Sequence, residues 1–156
     1  MALLAACAGK ETTSDTGPAG ETGTMTDTTD LPATLVLSFD LDGDLIPQMD
    51  EPAMGRFEGS IYAEADASAI GPVDGAVPLA DFESDELDFG TDGGLLADKA
   101  TVDGIAPQIV WILGCLDTTG DGCDKGDPIT VPNENKVQLT AGEGAYTVKM
   151  SLLNPS

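Results

Sequence analysis

Not one histidine occurs in the 156 residues of this chain, and only six residues are lysine or arginine. The first absence removes the usual general base and the commonest transition-metal ligand. The second excludes a basic patch for nucleic acid or anionic lipid: 28 acidic residues leave a net charge of -22, whose field repels phosphate. Aromatics are scarce at 4%, so a core has to rest on Leu, Val, Ile and Ala. Hydrophobic residues make up 41%, which is material for one domain of ordinary size plus a tail. Long amphipathic helical patterns with caps are missing too. A surface this acidic suits solubility, a cation-rich exterior or a cationic partner.

What is present is alternation. In TLVLSFDL, Leu35, Leu37, Phe39 and Leu41 share a face, and in RFEGSIYAEAD so do Phe57, Gly59, Ile61, Ala63 and Ala65. NKVQLT and AYTVKMSLL repeat the period of two through Val137, Leu139, Tyr146, Val148 and Met150. PQIVWILGCL is a continuous apolar run that fits a central strand covered on both faces, with Trp111 a core residue. VPLADFE and a stretch near ATVDG add shorter strands, and DGD, GP, DGG and GDP supply turn chemistry between them. About seven short strands at this spacing predict an all-β fold, an antiparallel β-sandwich, over residues 33–156 as one domain. Asp81, Glu83, Asp85, Glu86 and Asp88 mark an exposed, charged edge that deters sheet-to-sheet pairing.

The segment CLDTTGDGCDKGD, residues 115–127, carries the one candidate site. Asp117, Thr119 and Asp121 stand at positions 1, 3 and 5 of a calcium-loop pattern, with Gly122 at 6 and the Cys123 carbonyl at 7. Calcium is a hard cation that takes six to eight oxygens, and alternate side chains of a tight loop converge on one point. Position 12 is Pro128, not Glu, so Asp127 or Asp124 has to close the shell. A site of this kind binds weakly, at ~10⁻⁴–10⁻³ M. The competing reading is a glycine-rich hairpin turn in an acidic chain. Cys115 and Cys123 bracket the same segment, as a disulfide or as two buried free thiols. Asp40-Leu41-Asp42-Gly43-Asp44 places three carboxylates at alternate positions, either at a solvated hairpin tip or around a second ion.

At the other end, Leu4-Ala5-Ala6-Cys7 resembles the lipobox of bacterial lipoproteins, an aliphatic and two small residues before a cysteine. The resemblance implies lipidation of Cys7 and membrane attachment, and Ala8 after the cysteine implies passage to the outer membrane or cell surface. Only six residues precede Cys7, shorter than a signal peptide needs, so residues 1–7 are read as a truncated signal whose start lies upstream. Residues 8–32 are Thr, Gly, Asp, Glu, Ser and Pro with almost nothing to bury, and are read as a flexible tether reaching ~25–30 Å.

From Gly59 on, the order GSIYAEAD, GPVDGA, an apolar strand entering LDTTGDGCDKGDP and a closing hairpin is similar to small transthyretin-like or carboxypeptidase-regulatory-like lipoproteins of myxobacterial type. That likeness implies an immunoglobulin/transthyretin-like sandwich and a surface module, not an enzyme. Three functions are weighed. The leading one is a non-catalytic, calcium-stabilised lipoprotein displaying an acidic module, whose protein partner is unknown. The others are an accessory subunit of an envelope assembly and a carboxylate-pair envelope hydrolase.

Overall fold

The computed structural model describes residues 31–155; Cys7, the lipobox and residues 8–30 of the tether lie outside the described residues. Alternation does what the sequence implies in β1 (Ala33–Leu41), where buried and half-buried residues follow one another along nine positions. Ala33, Leu35, Leu37, Phe39 and Leu41 all turn inward and are buried, each of the larger four contributing roughly 1.5–3 kcal/mol. The other strands are β2 (Met54–Ala63), β3 (Ala67–Ser68), β4 (Gly71–Pro72), β5 (Ala80–Asp88), β6 (Gly94–Ile105), β7 (Ile109–Asp117), β8 (Pro128–Thr130), β9 (Lys136–Gln138) and β10 (Gly142–Leu153).

The all-β class stands, with 57% of the structure in strands. The arrangement is one sheet of eight strands, ordered β5-β2-β7-β8-β10-β1-β6 with β9 also on β7, curled into a nearly closed, barrel-like form. Where the sequence predicts a wholly antiparallel arrangement, β1 and β10 pair in parallel, from Ala33 beside Gly142 to Leu41 beside Met150. A parallel pair cannot be joined by a hairpin and needs a crossover. Here everything between residues 42 and 141 is that crossover. The remaining pair, β3–β4, is a separate two-stranded hairpin.

Both faces of β7 are covered, as its continuous apolar run requires. Val110, Ile112 and Leu116 enter the main core, while Trp111 and Leu113 pack outward with Ala67 and Tyr62. Trp111 is a structural residue: its Nε1 donates to the Glu64 carbonyl at 3.0 Å, and Lys136 Nζ lies 4.9 Å from its ring centroid. Few aromatics build the interior, but three of them adjoin in a row. Gly59 and Gly114 face each other across β2 and β7, and a Cβ on Gly114 would stand 2.7 Å from the Phe57 ring. The two missing side chains leave a slot that Phe57 fills, 4.9 Å from Phe39 and 5.7 Å from Phe82.

Two buried polar side chains close the seam where β8 and β9 are too short to cover β7. Thr130 Oγ1 accepts from Gly114 N at 3.0 Å. Asn135, 1% exposed, donates through Nδ2 to the carbonyls of Val131 and Lys149 and accepts from Lys149 N at 2.8 Å. Its own carbonyl accepts from Ile112 N at 2.9 Å. A single asparagine thereby links β7 to β10 as a missing strand residue would.

Candidate functional site

The candidate loop leaves the end of β7 at Asp117 and returns as β8 at Pro128. Cys115 and Cys123 are joined by a disulfide, with Cα atoms 5.8 Å apart. The bridge has unequal ends: Cys115 is 1% exposed within the strand, while Cys123 is exposed in the loop.

Around this clip, two buried aspartates hold the backbone. Asp117 Oδ1 accepts from Thr119 N at 3.2 Å and Gly120 N at 2.8 Å, and its Oδ2 accepts from Gly122 N at 3.1 Å. Asp127 Oδ1 accepts from the Thr118 hydroxyl at 2.6 Å, and its Oδ2 accepts from Asp124 N at 2.9 Å. These donors replace the water that a buried carboxyl group gives up, so both residues are tolerated at 7% and 3% exposure. Gly120 and Gly122 take φ of 86° and 103°, which a side chain would strain. The end of β10 locks the far side, where Asn154 N donates to the Asp127 carbonyl at 2.8 Å and Gly126 N to the Asn154 carbonyl at 2.9 Å.

The residues singled out in the sequence fall into two groups. Asp117 and Asp127 point into the loop and serve its amides. Thr119 and Asp121 meet at the solvent tip, where the Thr119 hydroxyl bonds the Asp121 carboxylate. That bond, followed by one from Asp124, holds the Asp121 carboxyl below its ordinary value. Asp124 is raised in turn, by its hydrogen bond to Asp121 and then by that residue's charge. Cys123 gives its sulfur to the disulfide. Among the described residues no group of three or more Cys, Asp or Glu side chains converges as a metal-holding cluster. The donors present, hydroxyl and carboxylate oxygens, are of the hard kind that calcium takes.

Spacing alone misses Thr118, whose hydroxyl ties the two buried ends together. Its signal is a hydroxyl next to the first aspartate of a tight loop, a frequent local capping arrangement. The other acidic run resolves as capping too: Asp42 Oδ1 accepts from Asp44 N at 3.0 Å and starts a 3₁₀ turn over Gly43–Gln48. The five carboxylates of β5 are exposed along the strand that ends the sheet. Within β5 a bulge sets Ser84 inward, and its hydroxyl accepts from Phe57 N at 2.9 Å where the ladder skips. Glu58, on β2 near the loop, has its carboxyl pushed up by burial first, then by the charges of Asp117, Glu83 and Asp127.

No known protein family matches the chain, and no curated protein or solved structure matches it.

Proposed function

We propose that this chain is a non-catalytic lipoprotein, anchored through Cys7 to the outer membrane or cell surface, which displays its acidic β domain to protein partners. The observation that carries the reading is the Cys115–Cys123 disulfide closing a loop of this kind, because such bridges persist in oxidising compartments such as the bacterial envelope. The histidine-free composition and the net charge of -22 support display rather than acid–base chemistry. In the same reading the curled sheet is a flattened, transthyretin-like sandwich of the carboxypeptidase-regulatory kind. Calcium is the proposed cofactor. Asp121, Asp124 and Thr119 at the tip would hold it, with Asp117, Asp127 and the Cys123 carbonyl behind them, and it would offset the crowding of carboxylates there.

Two experiments test these parts separately. The chain is expressed in a Gram-negative host behind a complete signal sequence, in radiolabelled palmitate. Label and membrane sedimentation that vanish in Cys7→Ser support the anchor; soluble, unlabelled protein refutes it. Thermal unfolding in EDTA and in 5 mM calcium tests the cofactor. We expect calcium to raise Tm by several degrees and Asp121→Asn to abolish the rise, whereas superimposable curves retire calcium. An accessory role in an envelope assembly draws support from four exposed aliphatic residues within one short segment, Ile70, Val73, Val77 and Leu79, which a partner could cover.

A further inference from the structure

The outward side of β7 is covered by two separate pieces of chain. The β3–β4 hairpin covers its first half over Trp111, and the disulfide loop rises beyond its second half. Between them lie two cavities of about 780 and 560 Å³ that share Pro72, Leu113, Gly114 and Cys123. They therefore abut and form one groove, joined at Leu113, Gly114, Pro72 and Cys123.

The groove has two chemically different ends. Toward β5 it is lined by Glu58, Ser60, Asp81 and Glu83 beside Tyr62 and Phe82. Toward β10 it is lined by Ile70, Ile129, Val131, Pro132 and Leu152. Ile70 is 96% exposed and Leu152 48%, so the aliphatic end faces solvent. At the acidic end, Glu83 meets the single arginine, Arg56, at 3.7 Å, and Ser60 donates to Asp81. The Glu58 carboxylate has no hydrogen-bond or ion-pair partner among the described residues, and the described cations leave this end strongly negative.

Size follows from topology. Apart from the β3–β4 hairpin and the adjoining loops, the lining residues come from β5, β2, β7, β8 and β10, which are consecutive in the sheet. Four steps at about 4.8 Å span roughly 19 Å, the length of about six extended residues at ~3.3 Å each. A second copy of this chain is a poor occupant, because two bodies of net charge -22 repel. Charge complementarity selects a basic partner at one end, and exposed aliphatics select an apolar one at the other.

We propose that this groove binds an extended segment of a partner protein, about six residues long, with lysine or arginine at one end and aliphatic side chains at the other. The proposal deepens the display reading by assigning its interaction surface. The basic end lies over Glu58, Asp81 and Glu83, and the aliphatic end lies against Ile70, Ile129 and Leu152. Such a segment covers the apolar residues that water now meets and supplies the cation that Glu58 lacks. Discrimination then comes from direction as well as composition, since a reversed segment puts lysine on Leu152.

The test is fluorescence polarisation of the full chain with a labelled hexapeptide, Lys-Lys-Ala-Val-Leu-Leu, and its control Glu-Glu-Ala-Val-Leu-Leu, at physiological salt. The lysine peptide is expected to bind at least tenfold more tightly than the control. Ile70→Ser with Leu152→Ser, both at exposed positions, should weaken it about tenfold, and Glu58→Gln with Glu83→Gln should do the same. Equal binding of the two peptides overturns the proposal, as does no binding of the lysine peptide up to 1 mM. Binding untouched by the Ile70 and Leu152 changes also overturns it, since that is adhesion to an acidic surface. Failure here leaves the Cys7 anchor standing, and palmitate labelling decides that separately.

Discussion

Asp117→Asn changes one atom at the root of the loop, and the structure says what that atom does. The carboxylate accepts three backbone N–H groups, two on Oδ1 and one on Oδ2. Asparagine keeps one oxygen and turns an NH₂ toward the remaining donor. In the better orientation Oδ1 keeps Thr119 N and Gly120 N, and Gly122 N, half-buried, faces another donor at a side chain only 7% exposed. An unsatisfied buried donor costs about 1–3 kcal/mol, and the two retained bonds lose their charge assistance. The sum is about 2–4 kcal/mol. For the 125 residues from 31 to 155, an unfolding entropy near 2.1 cal/mol/K per residue converts this to about 8–15 °C in Tm. The assay is thermal unfolding by circular dichroism, unreduced and in EDTA, so that no calcium contributes. A loss below about 2 °C in EDTA refutes the reasoning, because the amides would then not depend on the charge. A loss that appears only when calcium is added refutes it as well, and makes Asp117 a ligand rather than a brace.

Three further outcomes follow from the same geometry. Reduction of Cys115–Cys123, which are eight residues apart, should lower stability by about 2.5 kcal/mol on the chain-entropy relation, or about 10 °C in Tm; equal melting with and without reductant removes the bridge from the stability account. Asn135→Ala strips Lys149 N of its acceptor at a site 1% exposed and should cost about 2–4 kcal/mol, read as a lower urea midpoint, while a change under 0.5 kcal/mol would show that the seam closes without it. Glu58→Gln should raise Tm at pH 7 and leave it unchanged at pH 3. The folded carboxyl titrates above its unfolded value, chiefly through burial, so its stabilising contribution is present below the unfolded pKa and lost as pH rises through the folded one. An identical effect at both pH values would assign the gain to packing.

The strand pattern was readable wherever one face is buried and the other is not. Leu35, Leu37, Phe39 and Leu41 form the buried row of β1 because a period of two has no other solution once a core exists. IVWILGCL declares its two covered faces by having no charged or amide side chain along its length. β5 was less legible: the bulge at Ser84 breaks the period, so Phe82 and Leu87 do not belong to one uninterrupted alternation. Closure of the sheet and the parallel union of β1 with β10 rest on contacts between the two ends of the domain, and local pattern carries no trace of them. At the loop, the cysteine pair was visible as a pair. The roles of Asp117 and Asp127 were not, because a carboxylate spaced to hold a cation is also spaced to collect amides. Asn135 in VPNENK reads as an ordinary turn residue until β10 is placed beside it.

The parallel union of β1 and β10 also decides how the domain bears load. Their nine residue pairs run in register from Ala33–Gly142 to Leu41–Met150. In the proposed reading a membrane tether would pull just ahead of Ala33, where β1 begins, while a partner against Leu152 would pull near the end of β10. The two forces act at opposite ends of adjacent strands and along their axes. The ladder is thus loaded in shear, with its hydrogen bonds sharing the force together, whereas peeling would break them one at a time. A domain with this first and last strand resists extraction when it is pulled at its two ends.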